Sequence, residues 1–255
     1  MGDIMAVLIF IIGAIFGSFF LVIGTRLPKG EDVLFSRSKC DSCGHTLKWY
    51  NLIPIFSFII QRGKCGYCHK KIAIEHFLVE IATGSLFLLT YLYFPIGYNF
   101  FVGLIISSLL IIIFVSDFKY MIILDSPLII SGTLIIILKL IYFDLKTTLI
   151  SVVSGVGLFL VMCTLFFLGK LLFKKEALGG GDIKLSFIMG LILDFKLGLT
   201  ALILSSFVAL PYAVASLEIK KNNEFPYGPF LAGSLFIVFY HYDKFNMLLD
   251  FLFTF

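Results

Sequence analysis

Long apolar runs recur from one end of this chain to the other. The first, Ile4–Gly24, holds 21 residues without a charged side chain. In hydrocarbon every backbone N–H and C=O must be paired internally, so only helices and closed barrels can span. Runs near 20 residues have helix length, not strand length. The chain is 60% hydrophobic and 14% charged, where a soluble domain carries about a quarter charged residues. A soluble globular fold is excluded. The expected fold is an all-α polytopic membrane protein of about eight transmembrane helices with a small cytoplasmic zinc-binding insertion.

Charge placement sets the orientation. Asp3 leads the first run, and Arg26 and Lys29 trail it. That order predicts an uncleaved span with its N-terminus outside. Gly13, Gly17 and Ser18 place small residues together, which suits close helix packing. The next stretch is rich in Lys and Arg and is expected on the cytoplasmic side. The predicted division is 1–24 as the first span, 25–71 as a cytoplasmic four-cysteine zinc-binding domain and 72–255 as a helical bundle.

Cys40-x-x-Cys43 and Cys65-x-x-Cys68 lie in that polar stretch. Two such pairs about twenty residues apart match a four-thiolate zinc site on two knuckle turns. Redox pairs or disulfides are the alternatives. Lys39, Lys64, Gly44 and Gly66 fit the turns, and His45 and His69 read as neighbours, not ligands. Between the pairs, Trp49–Phe58 is apolar but too short to span, and is expected to lie at the interface or dip into the bilayer. Cys163 sits within a span and reads as a small buried apolar residue.

Further spans are expected over Ile72–Phe94, Phe100–Ser116, Pro127–Phe143 and Thr147–Phe173. Two short runs follow, Ile183–Leu193 and Leu197–Leu217, with Asp194 and Lys196 at the turn between them. Lys170, Lys174, Lys175, Lys220 and Lys221 mark returns to the cytoplasmic side. A last run ends at Tyr240, and the tail 245–255 is too short to span. Asp125 stands where it could cap the span that begins at Pro127.

Ionisable residues at membrane depth are functional-site hypotheses. Glu80 is one, with a methyl-transfer role or a structural polar role as its readings. The others come from topology. Asp117 closes one span and Asp182 opens another, and the span count returns both to the cytoplasmic side at one depth. Two adjacent carboxylates cannot both ionise cheaply, so they share a proton. One can then activate water against a peptide carbonyl while the other donates to its oxygen. Gly179, Gly180 and Gly181 precede Asp182 and would let a substrate backbone approach it. An ion path through the same carboxylates is the competing reading.

In this order the motifs resemble a family. They are Gly17-Ser18-Phe19 and Arg26-x-Pro28, the Cys pairs flanking Leu52-Ile53-Pro54, Val79-Glu80, Asp117 with Ile123 and Asp125 downstream, and Gly179-x-Gly181-Asp182-Ile183-Lys184. The set resembles the type IV prepilin leader peptidases over nearly the whole chain. The resemblance implies that Asp117 and Asp182 are the catalytic aspartates. It implies cleavage of pilin-like precursors after a glycine, on the cytoplasmic side of the inner or plasma membrane. It also implies methylation of the new N-terminus from S-adenosylmethionine, a second activity that a peptidase-only member would lack. Expected partners are prepilin or pseudopilin precursors and the bilayer, not nucleic acid. Two positions depart from the pattern. Leu124 stands where the family usually has proline, and His76-Phe77-Leu78 precedes Val79 where the family often has Tyr-Pro. No glycine-rich Rossmann turn marks a methyl-donor site.

Overall fold

The structure is a computed structural model that describes residues 2–33, 36–40, 42–173, 179–220 and 225–253. Lys174, Lys175 and Lys221, read above as orientation markers, lie outside the described residues. The chain divides into two compact units, Met1–Ile96 and Gly97–Phe255.

In the first unit, α1 (Gly2–Arg26) packs along α3 (Ile74–Tyr93). Small residues make that approach close. A Cβ on Gly13 would fall 2.9 Å from the Gly84 Cα, and one on Gly17 would fall 2.7 Å from Thr83 Oγ1. Between the two helices the chain forms a 3-10 turn at Trp49–Leu52 and the short α2 (Phe56–Ile60). Among the described residues no β-strand forms; two isolated antiparallel bridges, Lys39 with Thr46 and Lys64 with Lys71, bracket the two cysteine pairs.

The second unit holds α4 (Tyr98–Tyr120), α5 (Asp125–Tyr142), α6 (Leu145–Phe173), α7 (Gly180–Lys220), α8 (Gly228–Tyr240) and α9 (Tyr242–Phe253). Its core comes from α4, α7 and α8, through Ile106, Leu109, Ile113, Leu185, Met189, Leu231 and Val238. Outward faces carry Ile129, Val153 and Leu171, as lipid contact allows.

Among the described residues, six helices are long and apolar enough to cross a membrane: α1, α3, α4, α5, α6 and α7. The longest, α7, is broken at Asp194, where φ is 63° and ψ 175°. Eight residues along a straight helix would separate Gly190 from Gly198 by about 12 Å. A Cβ on Gly198 would instead lie 3.6 Å from the Gly190 Cα. The helix therefore reverses, and its two arms are the two short runs expected from the sequence. With α8, 13 residues long, they bring the apolar segments to the expected number. The reversal puts Asp194 in a backbone region that belongs almost wholly to glycine. The side chains around it answer the strain. Ser151 Oγ lies 3.4 Å from Asp194 Oδ1, and the buried Lys139 ammonium donates to Ser151. The tail forms α9, too short to span, as expected.

Candidate functional site

Asp117 lies in the last turn of α4, which Met121 ends by turning left-handed at φ 56°. Asp182 lies in the first turn of α7. Both are buried, 6% and 7% exposed, and Ile123 packs against a glycine beside each: Gly181, next to Asp182, and Gly228, whose amide binds Asp117. The structure thus brings together two carboxylates that the sequence places 65 residues apart by number (182 − 117).

Each carboxylate is held by one backbone amide. Gly179 N–H donates to Asp182 Oδ2 at 3.0 Å. Gly228 N–H donates to Asp117 Oδ2 at 2.9 Å. Gly228 is the first residue of α8. Both acids therefore sit at helix N-termini, one on its own helix and one on a neighbour's, where unpaired N–H groups and the helix dipole favour negative charge. Sequence reasoning assigned no role to Gly228. The available signal was Pro226-x-Gly228-Pro229 at the mouth of an apolar run, but nothing in it pointed to Asp117.

Ile123 is wedged between two glycines of this site. A Cβ on Gly181 would fall 2.6 Å from Ile123 Cβ, and one on Gly228 would fall 2.7 Å from Ile123 Cδ1 and 2.9 Å from Asp117 Oδ2. The three glycines before Asp182 thus differ in role. Gly179 gives its amide to the carboxylate, Gly181 makes room for Ile123, and Gly180 faces open space with nothing within 4 Å of an added Cβ.

Asp125 does not cap α5. The N-cap position is Leu124, and it makes no side-chain cap bond. Both Asp125 oxygens instead accept from Lys184 Nζ, at 2.7 and 2.8 Å. This pair stands at one end of an apolar groove of about 460 Å³ between α5, α6 and α7.

In the first unit, the Sγ atoms of Cys40, Cys43, Cys65 and Cys68 lie within 4.8 Å of one another. A tetrahedron with Zn–S bonds of 2.3 Å has edges of about 3.8 Å, and Cys40 Sγ stands 3.9 Å from Cys68 Sγ. All four thiols are free. The two knuckles repeat one geometry. Cys40 N–H donates to His45 O and Gly44 N–H to Cys40 O; Cys65 N–H donates to Lys70 O and His69 N–H to Cys65 O. The left-handed residue is Gly44 in the first knuckle and His69, not Gly66, in the second. Amide N–H groups of Cys68 and Tyr67 hold the Cys65 thiol down at about 7. At Cys43 the His45 amide pulls the same way, but desolvation and the Cys40 and Cys68 thiols push it up to about 11. Four thiols so placed resist shared ionisation unless a cation joins them, and a dication would do so. These residues fit zinc, which would cross-link the two knuckles.

Glu80 is 7% exposed on α3. Its Oε2 accepts the Ile55 N–H at 2.7 Å. Cys163 is free and half-buried within α6.

Fold and site together define a polytopic membrane protein with a buried carboxylate pair at the ends of two helices and a four-cysteine cluster in a separate unit. Comparison with known proteins carries this further. Residues 11–94 match the bacterial peptidase A24 N-terminal domain, and residues 104–214 match the type IV leader peptidase family. The chain is 29% identical over 240 residues to a prepilin leader peptidase/N-methyltransferase of Bacillus subtilis, covering 93% of this chain and 94% of the relative. A protein of the same name from Vibrio cholerae is 30% identical over 255 residues, covering 92% and 96%. One from Klebsiella pneumoniae is 33% identical over 208 residues, covering 78% and 89%. No solved structure matches. The chain belongs to the type IV leader peptidase family. It is a membrane enzyme with peptidase activity, which sets the ion-path reading aside.

Proposed function

We propose that Asp117 and Asp182 are the catalytic pair of an aspartic endopeptidase that removes the leader of type IV prepilin-like precursors. The observation that carries the reading is two buried carboxylates from different helices, each fixed by one backbone amide, with Ile123 packed against the glycines beside both. Each amide binds Oδ2, which leaves the Oδ1 atoms for a shared proton and a water. In the forward step the ionised acid takes a proton from water as the water oxygen bonds to the scissile carbonyl carbon. The protonated acid gives its proton to the carbonyl oxygen. Collapse of the resulting diol breaks the C–N bond: the departing amine takes the proton that the first acid drew from water, and a diol hydroxyl returns a proton to the second acid. Gly180 is the open position beside which a substrate backbone can lie.

The active-site ends of α4 and α7 and the four-cysteine segment face the cytoplasm of the inner or plasma membrane in this reading, with segment 25–71 as a zinc-stabilised insertion. The Lys and Arg bias of that segment supports the orientation. The names of the relatives support N-methylation of the product from S-adenosylmethionine as a second activity. Glu80 is engaged by the Ile55 amide, so the methyl donor has no assigned carboxylate.

The test is to incubate the purified protein with a pilin-type precursor and methyl donor and to measure product mass. Loss of the leader is the expected result, with one added methyl if the second activity is present. An intact precursor with the wild-type protein would overturn the proposal.

A further inference from the structure

Ile55 has φ 65° and ψ −55°. A β-branched residue at positive φ is a genuine outlier. The Phe56 N–H donates back to the Pro54 carbonyl at 2.6 Å, which makes this a γ-turn of the rare, strained hand. Such a turn persists only where its surroundings over-determine it. Here the surroundings are Glu80, whose buried carboxylate accepts the Ile55 N–H at 2.7 Å.

The position of Glu80 gives the turn a depth. Glu80 is six residues past Ile74, the first residue of a candidate membrane span, which is about 9 Å along a helix. Inside a bilayer, irregular backbone is tolerated only when its polar groups find partners in the protein. Glu80 is such a partner for the amide of Ile55.

The flanking residues fit the same placement. Phe58 turns inward and stacks on Phe77 of α3, ring centroids 4.9 Å apart. Trp49, Phe56, Ile59 and Ile60 point away and are 77%, 60%, 57% and 78% exposed. A patch of that size on a water-facing surface would be a liability. Exposed Lys48, Arg62, Lys64, Lys70 and Lys71 border it in sequence. Apolar anchors with a basic border match a leaflet carrying anionic headgroups, and tryptophan favours that boundary.

We propose that Trp49–Ile60 is a membrane-inserted wedge, buried in the leaflet on the side of the four-cysteine cluster, and that Glu80 is the positioning residue that holds it there through the strained turn at Ile55. The wedge ties the segment joining the two cysteine pairs to the bilayer. This does not rest on the identity of the catalytic pair, and its test does not read peptidase activity.

Trp49 is the single tryptophan of the chain, so the test needs no added label. The full-length protein is reconstituted in phosphatidylcholine–phosphatidylglycerol vesicles whose acyl chains are brominated near the headgroup. Wild-type fluorescence should be quenched by the bromines. A second reporter, Trp49→Phe with Phe56→Trp, should be quenched as well. Glu80→Leu removes the acceptor and should lose the lipid quenching, with a gain in quenching by aqueous acrylamide. Glu80→Gln keeps an acceptor oxygen and should behave as wild type. If neither reporter feels the bromines while both feel acrylamide, the surface faces water, and the wedge is wrong. If neither quencher reaches the reporters, a protein surface covers them, and the wedge is again wrong. Lipid quenching unchanged in Glu80→Leu would overturn the role of Glu80.

Discussion

The backbone N–H of Gly228 donates to Asp117 Oδ2 at 2.9 Å across 111 residues of sequence. The bond ties the end of α4 to the first residue of α8 and fixes one oxygen of the proposed pair. A side chain at Gly228 would collide with what the amide holds. An added Cβ would meet Asp117 Oδ2 at 2.9 Å and Ile123 Cδ1 at 2.7 Å. Gly228→Ala should therefore displace the carboxylate and lower kcat for precursor cleavage by about 10²-fold, the usual effect of an ångström-scale misplacement. Near-normal cleavage would mean that this bond does not position Asp117.

Asp117→Asn and Asp182→Asn keep the shape of each side chain but end the sharing of one proton proposed for them. Each should lower cleavage by about 10²–10⁴-fold. The proteins should still insert and elute as wild type on size exclusion. A catalytic pair acting as a unit makes the double variant little worse than either single one. Additive losses would argue against a pair.

The placement of Asp117 and Asp182 at the ends of two helices was legible beforehand. Asp117 and Asp182 could be placed together because counting spans is a topological argument that needs only apolar runs and charge bias. Gly228 and Ile123 could not, because one acts through its backbone amide and the other through steric contact, both between segments remote in sequence. The reversal at Asp194 was marked by Asp194 and Lys196 between two short runs, but its cost was hidden. That cost lies in a φ of 63°, and composition does not encode the neighbours Lys139 and Ser151. In the knuckles, Gly44 advertised its left-handed turn, whereas His69 takes the same conformation without any such signal.

The four thiols should bind about one zinc per chain. Cys65→Ser should lower the content and expose the remaining thiols to alkylation. Zinc affinity should fall as pH is lowered, because the ligands must lose their protons to bind. Elemental analysis across a pH series checks both. Metal-free protein with four readily alkylated thiols would count against a zinc site.

The packing of α6 on α7 depends on glycine. A Cβ on Gly190 would lie 2.6 Å from the Ser154 carbonyl oxygen and 2.8 Å from the Gly155 Cα. These are backbone atoms, which cannot turn aside as a flexible side chain can. Gly190→Ala should force the helices apart and destabilise the protein by about 1–3 kcal/mol. A fall in Tm in detergent would show it. Gly233→Ala is the control, since an added Cβ there meets nothing within 4 Å.

Gly180 and Gly181 differ in the space beside them. An added Cβ at Gly181 meets Ile123 at 2.6 Å, whereas one at Gly180 meets nothing. Gly181→Ala should therefore lower both stability and cleavage. Gly180→Val should leave Tm near wild type and still lower cleavage, because the new side chain occupies space proposed for the precursor backbone. The substrate should show the matching constraint. A glycine before the scissile bond disfavours helix and adds no side chain to the contact. Replacing it with valine should block cleavage without blocking membrane insertion of the precursor. A precursor carrying alanine there should lose less activity with wild-type enzyme than one carrying valine, and the Gly180→Val enzyme should penalise both more severely. Placing the junction two helical turns deeper, about 11 Å, should block cleavage as well, since the carboxylates lie at the ends of their helices. If Gly180→Val cuts the normal precursor at the wild-type rate, Gly180 does not line the path of the substrate, even if both aspartates prove catalytic.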